Sequence, residues 1–142
     1  MAHARAELGS RRAFVVHGDF DGVHGLDEIS TTGVTEIAEV KDGKVRLFTM
    51  TPEEAGLPRA SPADLLGGTL GDNVRMLRDL LDGARGPRRD IVFLNAAAAL
   101  IAAGRAADWQ EGIRLAAHSV DSGAAKNKLF ALTEFSTRFS PR

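Results

Sequence analysis

The sequence predicts an α/β fold in which one buried strand and a β-hairpin pack with several helices, all within a single domain spanning residues 1–142. Three observations carry this. Ala13-Phe14-Val15-Val16 is an unbroken apolar run rich in β-branching, the pattern of a strand buried on both faces as in parallel sheets. The strand-like runs 34–40 and 44–50 flank Lys41-Asp42-Gly43, and Asp-Gly between two such runs signals a tight hairpin, because a type I′ turn needs positive φ at both central residues. Downstream, several apolar stretches carry helix start and stop signals.

Composition bounds the function. Hydrophobic residues make up 44% and charged residues 26% of the chain, ordinary for a globular domain. A net charge of −1, from 18 basic and 19 acidic residues, supplies no electrostatic drive toward nucleic acid or a membrane surface. The absence of cysteine excludes thiol catalysis and disulfides and fits a cytoplasmic setting. No apolar run approaches the ~20 residues that span a bilayer, and Met1–Arg5 lacks a signal-peptide core.

Ala2 to Leu8 suits two turns of helix ended by Gly9. The apolar strand wants neighbours on both sides, yet no other run is clearly its like, so the sequence supplies a central strand without its sheet. In the second hairpin strand, Val45 and Leu47 alternate with Lys44 and Arg46, the pattern of a half-buried ribbon. Ser61-Pro62-Ala63-Asp64 starts a short helix, with Ser61 as cap and Pro62 at its first position. Asp72 or Asn73 is expected to cap the next helix, whose apolar face is Val74, Leu77 and Leu81, with Gly83 as its end. Gly67-Gly68 reads as a turn, since the Lys and Ser/Thr of a P-loop are missing. Residues 90–103 read as one long buried helix, with Asn95 a polar residue in its middle. A structural hydrogen bond is the reading for Asn95, and a ligand contact the alternative. Arg85, Arg88 and Arg89 read as a solvated helix terminus. Asp108 and Glu111 form a capping-box pattern opening a helix that runs to about Asp121, with Ile113, Ala116, Ala117 and Val120 inward and Gly123 as its stop. A last helix, 124–135, is expected to bury Leu129, Leu132 and Phe135 before a short polar tail. His118 has no acid or nucleophile nearby in sequence and reads as filler.

The chemistry concentrates after the first strand. Val15-Val16-His17-Gly18 leads into a loop holding Asp19, Asp21, Asp27, Glu28, His17 and His24 among glycines. Ligands collect outside the carboxyl ends of strands in α/β sheets. Adjacent carboxylates at Asp27 and Glu28 are hard oxygen donors of the kind Mg²⁺ takes, with waters and phosphates completing its shell. A solvated turn is the competing reading, because Asp and Gly are ordinary turn residues.

VVHG, GLDEIS and TTGVTEIAEV, followed by TPEEAGLPRASPADLLGG, GPRRDIVFLNAAAALIAAG and SVDSGAAKNKLFALTEFS, together resemble the C-terminal part of the anthranilate phosphoribosyltransferases. The likeness runs from about Leu8 to Ser136. It implies the C-terminal part of that family's large α/β domain. It also implies transfer of a phosphoribosyl group from phosphoribosyl pyrophosphate to anthranilate in tryptophan biosynthesis. By the same resemblance, Asp27 and Glu28 are the Mg²⁺ ligands and His17 is structural. No catalytic residue and no substrate-binding residue of this chain is assigned. The family's GTGGD phosphate loop, its anthranilate pocket and its N-terminal helical domain have no counterpart here. The chain is therefore expected not to act alone. Three readings stay open: a fragment working with an N-terminal half, a non-catalytic Mg²⁺-dependent module for a phosphoribosyl or nucleoside ligand, and a structural remnant that self-associates or pairs through an open sheet edge. Asp19 to Gly25 departs from the family's shorter loop. That segment is expected either to displace the carboxylates or to add ligands of its own.

Overall fold

The computed structural model describes residues 1–139. The chain runs α1 (Ala2–Glu7), β1 (Arg12–Asp19), β2 (Gly25–Leu26), β3 (Thr35–Lys41), β4 (Lys44–Met50), α2 (Pro62–Leu65), α3 (Leu70–Leu81), α4 (Pro87–Ala102), α5 (Trp109–Asp121) and α6 (Ala124–Thr137). The four strands form one sheet in the order β2-β1-β3-β4, and every pairing is antiparallel. This corrects the reading of β1 as a parallel strand buried on both faces: Arg12 to Val16 are only half-buried, and β3 hydrogen-bonds along the whole strand. β2 pairs only with Gly18 and Asp19. Among the described residues, the outer edge of β1 from Arg12 to His17 has no strand beside it. The expected β3–β4 hairpin is present, with Asp42 at φ 49° and Gly43 at φ 76°, the left-handed region its turn requires.

Alternation along the strands gives the sheet two unlike faces. Phe14, Val16, Ile37, Phe48 and Met50 face the helices, where they pack with Ile29, Ala55, Leu94, Trp109 and Ile113. Phe14 and Trp109 meet with ring centroids 5.7 Å apart. On the other face α1 covers the hairpin end, where Val40 and Ala2 are buried. Val15, Ala38 and Leu47 follow on that face without a helix over them. Leu47 is 77% exposed, while Val45 on the same face is half-buried. β4 turns its other side, Phe48 and Met50, toward the helices.

Glu39 lies on the helix-facing side, almost fully buried between two arginines. Its carboxylate accepts from Arg12 Nε at 3.0 Å and from Arg46 Nη2 at 2.8 Å, while Arg12 also reaches the Ile101 carbonyl near the end of α4. Burial alone raises the Glu39 pKa, but the hydrogen bonds and charges of Arg46 and Arg12 outweigh it and hold the group below the usual glutamate range.

Ser61 is the N-cap of α2 as expected, and Asp64 caps it reciprocally. The cap of α3 is Thr69, not Asp72 or Asn73. Asp72 is the reciprocal third-position carboxylate, and Asn73 accepts from the Gly68 N–H at 2.9 Å. Asp108 caps α5, while the Glu111 carboxylate accepts from Ala107 N–H one residue earlier than the capping-box pattern places it. α4 is one helix, and Leu80, Phe93, Ala116 and Val120 form a second core cluster. Two apolar faces are not buried as expected. Val74 and Leu77 of α3 are exposed, and α6 buries no residue, with Leu132 and Phe135 open to solvent. α6 meets α5 around Ala125 and then runs free of the core, so only Leu129 of its apolar set is partly covered. Arg89 is likewise not solvated. It is buried, donates from Nη2 to both carboxylate oxygens of Asp121 at 2.8 and 2.9 Å, and lies over the Phe93 ring. His118 is exposed. The end of the polar tail, residues 140–142, lies outside the described residues.

Because the Glu39 pKa is depressed, its stabilising contribution is present above the unfolded glutamate pKa and is lost as pH falls through the lower folded value. Glu39→Gln is expected to lower unfolding free energy by about 1–3 kcal/mol at neutral pH, through two arginines left without their carboxylate. It should also flatten the loss of stability below about pH 4, measured as urea midpoints across pH.

Candidate metal-binding loop

β1 ends at Gly18-Asp19, and the chain then closes on itself. The Phe20 N–H donates to the His24 carbonyl at 2.9 Å. Asp19 Oδ1 accepts from Gly22 N–H at 2.7 Å. Asp21 Oδ1 accepts from the Val23 and His24 N–H groups at 3.0 and 2.7 Å, and its Oδ2 lies 2.8 Å from His24 Nδ1. The His24 side chain, then the backbone N–H groups of His24 and Val23, bring the Asp21 pKa down to about 2. The surplus segment is thus a self-satisfied turn. Its acids and His24 are engaged within the turn itself. The His17 ring lies against Gly25 at the strand end.

β2 brings the chain back beside β1 in the register Gly18↔Leu26 and Asp19↔Gly25. Asp27 and Glu28 follow at once, both exposed, and Ile29 is buried in the core. Two contacts fix this corner. A Cβ on Gly18 would sit 2.5 Å from the Glu28 carbonyl oxygen and 2.8 Å from Ser30 Cβ, so the loop crosses β1 where only glycine fits. From the other side, Asn95 of α4 accepts from Ile29 N–H through Oδ1 at 2.9 Å and donates from Nδ2 to the Ile29 carbonyl at 2.9 Å.

The segment after Ile29 is tied down by hydroxyls. Ser30 Oγ donates to the Asp19 carbonyl at 2.5 Å and accepts from Thr32 and Gly33 N–H at 2.9 and 3.2 Å. Thr32 Oγ1 also donates to the Asp19 carbonyl, and Thr35 Oγ1 accepts from Ser30 N–H, both at 2.9 Å. Sequence reasoning misses Ser30 and Thr35. Their signal is the density of short hydroxyl side chains in Ser30-Thr31-Thr32-Gly33, which favour such local bonds to the backbone.

Although the residue is exposed overall, partial desolvation of its carboxyl against the neighbouring chain, and then the charge of Asp27, raise the Glu28 pKa. Among the described residues neither carboxylate is paired with a basic side chain. Two adjacent carboxylates without a basic partner among the described residues are hard oxygen donors of the kind a small divalent cation takes. The donor set therefore fits Mg²⁺ as a partial shell of two protein oxygens.

Gly18→Ala is expected to lower unfolding free energy by about 1–3 kcal/mol, because the added methyl must push the Glu28–Ser30 backbone off β1. Urea unfolding followed by Trp109 fluorescence reads this. An unchanged midpoint would show that the loop does not lie on the strand.

Known proteins share this sequence and fold over part of their length. The anthranilate phosphoribosyltransferase of Parvibaculum lavamentivorans is 53% identical over 131 residues, covering 92% of this chain and 37% of its own length. That of Methylocella silvestris is 50% identical over 140 residues, covering 99% and 39%. Among solved structures, the anthranilate phosphoribosyltransferase of Thermus thermophilus superposes with a TM-score of 0.79 at 38% identity over 94% of this chain and 38% of its own. The Saccharomyces cerevisiae enzyme in complex with PRPP and Mg superposes with a TM-score of 0.70 at 27% identity, over 82% of this chain and 32% of its own. The chain spans less than two-fifths of the length of these relatives. The family model described as "Glycosyl transferase family, a/b domain" matches residues 1–126, and the chain belongs to that family.

Proposed function

We propose that this chain is the C-terminal portion of an anthranilate phosphoribosyltransferase and that its share of the chemistry is to hold Mg²⁺ through Asp27 and Glu28. The observation that carries the reading is the corner between Gly18 and Ile29. It leaves these two carboxylates exposed and unpaired at the end of β1, in a chain 53% identical to such an enzyme over 131 residues. In the reaction, the amine of anthranilate attacks the anomeric carbon of phosphoribosyl pyrophosphate, and pyrophosphate leaves. Mg²⁺ bound there supplies positive charge to the leaving pyrophosphate. Asp27 and Glu28 would hold that charge in place, while the turn at Asp19–Gly25 satisfies its own polar groups. The phosphate cradle and anthranilate pocket come from polypeptide beyond these 142 residues, either continuous with them or separate. One domain over residues 1–142 and a cytoplasmic setting belong to the same proposal and rest on the family resemblance.

A second reading, a module that joins another polypeptide without catalysing, draws on the uncovered sheet face at Val15, Ala38 and Leu47 and the open edge of β1. It is compatible with the first if the joined polypeptide supplies the rest of the site. Calorimetric titration of the chain with phosphoribosyl pyrophosphate, with and without Mg²⁺, tests the main reading. The double variant Asp27→Asn, Glu28→Gln is expected to weaken the Mg²⁺-dependent component at least about tenfold while leaving the helical circular dichroism intact. Equal Mg²⁺-dependent binding by that variant removes the two residues as ligands.

A further inference from the structure

We propose that Asn95 is the positioning residue for the Asp27–Glu28 pair: from α4 it sets the backbone that carries the two carboxylates without touching them. The inference rests on the metal-ligand reading above. Asn95 is the one amide side chain in the stretch Ile91–Ile101, which is otherwise apolar. Its hydrogen-bonding groups all go to backbone. Oδ1 takes the Ile29 N–H, and Nδ2 gives one proton to the Ile29 carbonyl and one to the Ile91 carbonyl at 3.0 Å, a turn earlier on its own helix. The bond to Ile91 fixes the amide plane, so the other two bonds arrive in a set orientation.

The Ile29 N–H belongs to the peptide unit whose carbonyl is that of Glu28. Holding this N–H therefore fixes the plane of the Glu28 peptide, and the Glu28 carbonyl lies in turn where only Gly18 leaves room. The Ile29 side chain, 1% exposed, is sunk in the same core cluster as Leu94, next to Asn95 on α4. The Glu28 backbone is thus gripped by strand on one side and helix on the other. Less of the Glu28 backbone then remains to be ordered when a cation binds. Without the clamp, the loop backbone must be ordered at the same moment, and that entropy is subtracted from cation affinity.

A purely structural hydrogen bond would lower stability and leave the affinity of the folded chain alone. Two measurements separate these. First, Mn²⁺ affinity of the full chain is read by paramagnetic broadening of the Asp27, Glu28 and Ile29 amide signals at a temperature where wild type and Asn95→Ala both keep their circular dichroism. Asn95→Ala is expected to bind about tenfold more weakly; equal affinity overturns the proposal. Second, coupling is reciprocal. If the clamp strengthens cation binding, saturating Mg²⁺ must protect the clamp, slowing exchange of the Ile29 amide in wild type by about the same factor. An Ile29 exchange rate unchanged by bound Mg²⁺ overturns the proposal even if Asn95→Ala does not fold. Asp27→Asn, Glu28→Gln is the control. If it binds Mn²⁺ as wild type does, the ligand reading itself fails, whatever Asn95 does.

Discussion

The hydrogen-bond pair between Asn95 and the Ile29 backbone joins the two layers of this fold beside the Asp27–Glu28 corner. On the sheet side, the chain leaves β2, crosses Gly18 and must enter β3 a few residues later. On the helix side, α4 presents apolar side chains that ask nothing of the loop's polar backbone. A buried peptide N–H and C=O left unpaired there would cost about 1–3 kcal/mol each. One amide on α4 satisfies both and fixes where the acidic corner lies relative to the core. Ile29 then locks into the cluster with Ile37, Met50 and Leu94.

The rest of the architecture follows from how the sheet divides its faces. The helix-facing side is closed by Phe14, Val16, Phe48 and Trp109, with Glu39 held between Arg12 and Arg46 where α4 ends. The other side is covered by α1 only at the hairpin. A chain spanning less than two-fifths of its relatives' length thus carries a finished core on one side of the sheet and open apolar surface on the other. The Asp19–Gly25 turn fits the same economy. Its acids and histidine bond within their own loop, which satisfies the polar groups of the longer connection.

Much of this is legible in the residues. Asp42-Gly43 names the hairpin, Ser61-Pro62 and Asp108 name two helix starts, and Asp27-Glu28 stands out beside a strand end. What is not legible depends on distance in sequence. Asn95 reads correctly as a structural hydrogen-bonding residue, but its partner lies 66 residues away, and no local pattern names it. Arg89 looks like a solvated charge because its partner, Asp121, lies on another helix. The apolar faces of Val74, Leu132 and Phe135 read as buried because periodicity reports amphipathicity and is silent on whether anything covers the apolar side. β1 looks parallel because a fully apolar run does not distinguish burial between helices from burial beneath a partial cover.

The most direct test of the account is anomalous diffraction from crystals of this chain soaked in Mn²⁺. The expected result is a peak within about 2.0–2.3 Å of Asp27 and Glu28 carboxylate oxygens, with the Asn95–Ile29 bonds intact beside it. A peak at the Asp21–His24 turn instead, or ordered crystals in which Mn²⁺ avoids both Asp27 and Glu28, would contradict it.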